Sequence, residues 1–230
     1  MPVFSLIFTH KQSRRMKPAK ILGLHIALAV ALLSLNSPVY AAAEREKCLA
    51  VAENDPDRAM VDSGIALRQN PGDRDAMLCR ATAEFNIGDF PAAGRHFHDL
   101  ARAAGQDNKI VAGMLAKAGW AFLRAGNAKV AEQELALAVH RDPGNMQYWQ
   151  DHAAALMSLE RYWDAVRELD YVIKRDPTAA DALAFRADCW LKLGQDAKAR
   201  SDSQAALALK PKHDLASAVA VKLPPPPEQK

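Results

Sequence analysis

Apolar residues recur along most of this chain at helical spacing, in short blocks closed by turn residues. In the block 128–141, Ala131, Leu135, Ala138 and Val139 fall four, three and one apart, giving one apolar stripe on an otherwise polar helix. Glycine and proline punctuate the blocks. Gly126 and Gly194 are placed to end one helix and open a turn, because glycine adopts the left-handed conformation needed there. Pro143, Pro177 and Pro211 stop the helix that follows the turn. Asn145 and Asp73 are candidate N-caps, and Asp55–Pro56 reads as an N-cap followed by proline at the first helical position.

The punctuation is periodic. Pro143, Pro177 and Pro211 lie 34 residues apart, each preceded at twelve residues by Ala131, Ala165 or Ala199 and at five by Ala138, Val172 or Ala206. A 34-residue period predicts stacked helix–turn–helix units, an all-α solenoid. One helical pair cannot bury its own apolar face, so neighbours must stack and share a continuous core. The alanine twelve before each proline sits where paired helices approach most closely.

The recurrence resembles the tetratricopeptide repeat. Its best unit runs from Leu115 to Pro143, with Gly119, Phe122, Gly126, Ala131, Leu135 and Ala138 at the family's positions. The next opens with Trp149 and keeps Leu156, Tyr162, Ala165, Leu169 and Pro177, but Glu160 replaces the turn glycine and His152-Ala153 the usual leucine–glycine pair. The third keeps Leu183, Trp190, Gly194, Ala199, Ala206 and Pro211, with Ser203 where a large apolar residue is usual. Gly88, Phe90, Ala93 and Phe97 mark an upstream unit closed by Gly105, and Ala59, Ala66 and Pro71 a degenerate one before it. The resemblance covers 44–213 as about five units, 44–73, 74–107, 108–145, 146–179 and 180–213. A capping helix is expected at 214–222 and a proline-rich disordered tail at 223–230. The same proline run could instead be a polyproline II ligand.

The start of the chain does not fit the array. Five basic residues (Lys11, Arg14, Arg15, Lys17, Lys20) precede the apolar run 21–35, and Ala41-Ala42-Ala43 follows. This is the pattern of a secretory signal peptide over 1–43, cleaved near Ala43, with Met16 an alternative start and an uncleaved anchor the alternative reading. Export to the periplasm or outside the cell is therefore expected, with no membrane insertion after cleavage. Cleavage removes five of 30 basic residues and none of 27 acidic ones, leaving 25 against 27, a net charge near −2. No Lys/Arg cluster suggests a nucleic-acid surface. Cys48 and Cys79 fall on first helices of adjacent units, where a disulfide is geometrically possible in an oxidising compartment. Both could equally be small buried residues. Cys189, beside Trp190, is expected buried and unpaired.

Catalytic, cofactor and metal motifs were sought and none was found: there is no CxxC, HExxH, GxSxG or phosphate-cradling loop. His96 and His98 lie two apart, so their rings point to different helix faces, and both are expected to be solvated. Glu132, Glu134, Glu168 and Asp170 read as polar-face acids.

The resemblance implies that the first helix of each unit lines a concave face. Aligned units place Phe85, Leu123, Met157 and Leu191 in one row along it, and Thr82, Trp120, Ala154 and Asp188 in a second. An apolar strip with one aromatic anchor suits a peptide laid in a groove. Phe85, Trp120, Leu123, Met157, Asp188 and Leu191 are the expected partner-binding residues; some could instead pack against the next unit. The family's chaperone-tail clamp is not carried over, since the matching row is Leu78, Ala116, Gln150 and Ala184. A non-enzymatic adaptor for a partner peptide or protein is the expected function. The alternative is a fixed subunit of a cell-envelope assembly for polysaccharide export, secretion or outer-membrane biogenesis.

Overall fold

The computed structural model describes residues 38–225. The expected signal segment therefore lies outside the described residues up to residue 37, and so do the last five residues of the tail.

Eleven helices and no strand occur among the described residues: α1 Pro38–Asn54, α2 Pro56–Gln69, α3 Arg74–Ile87, α4 Phe90–Ala103, α5 Asn108–Arg124, α6 Ala128–Arg141, α7 Met146–Ser158, α8 Tyr162–Arg175, α9 Ala180–Lys192, α10 Asp196–Leu209 and α11 Asp214–Lys222. Residues 38–47 supply the start of α1, and from Cys48 onward the helices form one compact unit. From α2 to α11 each helix packs on its sequence neighbours, and α5, α7 and α9 also touch in succession. This is an all-α solenoid of helical hairpins, with α11 packed across α9 and α10.

The boundaries follow from side-chain chemistry. Asp55 Oδ1 accepts from Arg58 N at 3.1 Å and Pro56 opens α2. Asp73 Oδ1 accepts from the backbone N–H groups of Asp75 and Ala76, both at 3.0 Å, and Asn145 caps α7 by accepting from Gln147 N. Pro143, Pro177 and Pro211 each stand two residues past the end of α6, α8 and α10. The turns inside three hairpins use Gly88, Gly126 and Gly194 at positive φ; in α7–α8 the same left-handed conformation falls on Glu160, at φ 59°.

Small residues set the spacing between helices. Ala59, Ala93, Ala131, Ala165 and Ala199, one in each second helix, are fully buried. Around them lie Leu135, Leu156, Leu169 and Val172, the large side chains most completely removed from water. Leu223, grouped by composition with the disordered tail, belongs instead to the last core cluster with Val219 and Trp190. The Arg200 guanidinium donates to the Pro224 carbonyl, so the ordered chain extends past α11.

Several acids on these helices are buried, among them Glu134, which the sequence pattern assigns to a polar face. Glu84 accepts from Arg80 Nε at 2.9 Å and from His96 Nδ1 at 2.6 Å. His98 Nδ1 donates to Glu134 Oε1 at 2.8 Å, and Glu134 is only 7% exposed. The two histidines do diverge, one to the preceding helix and one to α6, but neither is simply solvated: each meets a buried carboxylate. Arg186 bonds Asp202 with two nitrogens, at 2.7 and 2.8 Å, and Asp170 with a third at 2.6 Å. His152 lies between Glu132 and Glu168, at 3.8 and 3.6 Å. Burying a charge is costly unless it is paired, and all of these pairs except Arg80–Glu84, which lies within α3, join two helices.

Candidate functional site

First helices α1, α3, α5 and α7, together with α4, enclose a cleft of about 510 Å³. Helix α3 contributes Thr82, Phe85 and Asn86, and α4 contributes Phe97. Helix α5 contributes Gly113, Ala116, Lys117 and Trp120; α7 gives Tyr148 and Asp151, and α1 gives Glu53. The side chains converge because first helices stack in register, so residues one repeat apart become neighbours. Lys117 and Asp151, 34 residues apart, hold equivalent positions on α5 and α7 and both line the cleft.

The walls are aromatic. Trp120 is 37% exposed, open to the cleft on a helix whose other face is core. Phe85 is held edge-to-face against Phe90, with ring centroids 5.2 Å apart. The Lys117 ammonium lies 5.7 Å from the Phe97 ring centroid. The Asn86 amide donates to Ala52 O at 2.8 Å, tying α3 to α1 at this end.

Asp151 is 4% exposed and accepts from the Gln147 side-chain amide at 2.8 Å. Burial pushes its carboxyl above the usual range, and hydrogen bonds from Gln147 and the Trp120 indole only partly offset this. Tyr148 is also raised, first by burial and then by the charges of Asp142 and Asp151. The arrangement offers rings, a sequestered acid and polar edges; it contains no nucleophile paired with a base.

Of the six residues expected to bind a partner, the cleft brings together Phe85 and Trp120. Leu123 packs against the α5–α6 core cluster, and Met157 and Leu191 against the cluster centred on α8 and α9. Asp188 is half-buried and lies outside the cleft lining. Sequence reasoning missed Asp151, Tyr148 and Lys117. The available signal was a charge at a repeat position that is buried Cys79 in α3, becoming Lys117 in α5 and Asp151 in α7.

Cys48 and Cys79 form a disulfide, with Cα atoms 5.8 Å apart. Cys189 is a buried free thiol, pushed up to about 12 by burial and by the Asp188 charge. Among the described residues no three His, Cys, Asp or Glu side chains gather as a metal site, and no helix is long and apolar enough to cross a membrane.

Comparison with known proteins places this geometry. Residues 151–214 match the tetratricopeptide repeat family. The match runs from within α7 through α10, the last two helical hairpins. TPR repeat-containing thioredoxin TTL4 of Arabidopsis thaliana is 30% identical over 147 residues, which cover 63% of this chain and 21% of that protein. The chain thus spans about a fifth of that relative's length. Among solved structures, YrrB, described as a TPR protein with an unusual peptide-binding site, superposes with a TM-score of 0.63 at 19% identity, over 81% of this chain and 99% of its own. MamA from Desulfovibrio magneticus RS-1 gives 0.55 at 20% identity, covering 62% of this chain and 78% of that one. At these identities the likeness is one of tetratricopeptide fold.

Proposed function

We propose that this chain is an exported, non-enzymatic scaffold that binds a partner peptide in the cleft between its first helices, with Trp120 as anchor. The observation that carries the reading is Trp120 itself. More than a third of a large indole stays open to water at the wall of a concave, ring-lined cavity. Such cavities are the common form of a recognition site, and aromatic anchors dominate interface energetics. The tetratricopeptide fold is typically a protein-interaction scaffold, and a peptide-binding site is named for YrrB. The thioredoxin chemistry of the Arabidopsis relative is not carried over, because the sequence has no Cys-x-x-Cys pair. Export is supported by the basic and apolar pattern of residues 11–43, and a Cys48–Cys79 disulfide suits an oxidising compartment.

The test is capture of a partner from cell envelopes, followed by binding of a peptide derived from it. Trp120→Ala should weaken that peptide by about thirtyfold, the scale of an interface hot spot at ~2 kcal/mol. Trp120→Phe, which keeps an aromatic wall, should weaken it less. Unchanged affinity in Trp120→Ala would remove the cleft from the mechanism. N-terminal sequencing of the protein from fractionated cells tests export separately.

A further inference from the structure

The charge inside the cleft is lopsided. Asp151 is over nine-tenths buried, and both groups that donate to it, the Gln147 amide and the Trp120 indole, are neutral. Glu53 adds a second carboxylate to the lining, exposed at the edge of the cleft. Lys117 is the one lining cation; its side chain is exposed and its ammonium sits over the Phe97 ring rather than on Asp151. A sequestered carboxylate without a counter-charge carries a desolvation cost that an incoming cation relieves. The surrounding ring faces attract the same kind of ligand. Among peptide side chains a guanidinium fits best: it is flat, weakly hydrated, stacks on aromatic faces and pairs a carboxylate through two parallel hydrogen bonds.

We propose that the cleft recognises an arginine side chain of the partner peptide, its guanidinium lying against the Trp120 and Tyr148 rings and paired with Asp151. The inference rests on the peptide-binding reading above and names the chemistry of what binds. An acidic side chain would meet Asp151 and Glu53 and gain only the exposed Lys117.

The experiment titrates the ¹⁵N-labelled full chain with three blocked tripeptides, acetyl-Ala-Xaa-Ala-amide, in which Xaa is arginine, citrulline or glutamate. Citrulline keeps the shape and loses the charge. The arginine peptide should shift the Trp120 indole N–H and the Gln147 side-chain amide saturably. It should bind about tenfold or more tightly than the citrulline peptide, as expected for hydrogen bonds to a charged group. Asp151→Asn keeps an acceptor for Gln147 and Trp120, and should bring the two peptides within about twofold of each other on the same principle. Equal affinity for arginine and citrulline in the wild-type protein overturns the inference without needing any variant. Tighter binding of glutamate, or no shift with any of the three, overturns it too. The peptide-binding reading is judged apart from this, by whether Trp120→Ala weakens the captured partner.

Discussion

Two glycines on helix α5 should respond to the same substitution with opposite signs. A Cβ built on Gly119 would lie 2.5 Å from Leu135 Cγ and 3.0 Å from each of its methyl carbons. Carbon atoms pack favourably at about 3.5–4.0 Å, so the overlap is on the order of 1 Å. The offended atom is the branch point of a side chain that is 0% exposed, enclosed by Ala131, Ala138 and Leu115, and it has nowhere to retreat. Overpacking of this kind costs ~1–3 kcal/mol. Alanine's helix propensity returns about 1 kcal/mol. Gly119→Ala should therefore destabilise by up to about 2 kcal/mol. At Gly113, two turns earlier, the nearest atom to a Cβ is the Tyr148 hydroxyl at 3.6 Å, an ordinary contact. There the propensity gain stands alone, and Gly113→Ala should stabilise by about 0.5–1 kcal/mol. Because propensity cancels between the two, their difference isolates the clash, ~1–3 kcal/mol. Equilibrium urea denaturation followed by circular dichroism reads both values from the midpoint at constant slope. In a Leu135→Ala background, itself costing ~2–5 kcal/mol, Gly119→Ala should become stabilising. Equal midpoints for the Gly119→Ala and Gly113→Ala proteins would refute the close approach of α5 and α6 on which the hairpin depends.

Three further outcomes are expected. Glu160→Gly should raise stability by about 0.5–1 kcal/mol, since a side chain at φ 59° is strained by more than glycine loses in the unfolded chain; a lower midpoint would refute this. Arg186→Ala should cost ~3 kcal/mol by stranding buried Asp202, while Arg186→Met with Asp202→Leu should recover most of it; equal melts would mean the pair is not buried as described. Asp151→Asn should stabilise the fold at neutral pH, because burial raises the native Asp151 carboxyl above its unfolded value. The native state then binds more protons than the unfolded one between those two values, so wild-type stability falls as pH rises through that window. The variant's advantage should fade below about pH 4, in the ordinary aspartate range, and a pH-independent difference would contradict the assignment.

Much of the architecture could be read from spacing, because helix ends and close approaches depend on local chemistry repeated at fixed intervals. Gly126, Gly194 and the three closing prolines act within one or two residues of themselves, and they mark the same boundaries in the structure. The buried ion pairs could not be read that way. Amphipathic analysis assigns every charge to solvent, so Glu134 reads as a polar-face acid although it lies below a tenth exposed, as does Asp202. Their recurrence was visible: Glu134, Glu168 and Asp202 are 34 residues apart, and so are His152 and Arg186, which face the last two. The cleft was partly legible for a related reason. Rows drawn along first helices found Phe85 and Trp120, but which row members stay open depends on the second-helix side chains beneath them. Leu123, Met157 and Leu191 are drawn into that packing and leave the strip discontinuous.

The Cys48–Cys79 bond joins α1 to α3 and so encloses α2 within a covalent loop of 31-residue separation. A linear stack whose members touch only their neighbours loses order from its ends inward, since an end member has half the contacts of a central one. Here the α1 side of the described stack is locked by chemistry, and α2 cannot peel away without carrying its neighbours. Among the described helices fraying acquires a direction: thermal opening is expected to begin on the α11 side, where packing on α9 and α10 is noncovalent. The cleft draws its lining from α1, α3, α4, α5 and α7, toward the locked side, so loosening of the distal hairpins would leave the shape of the cleft intact.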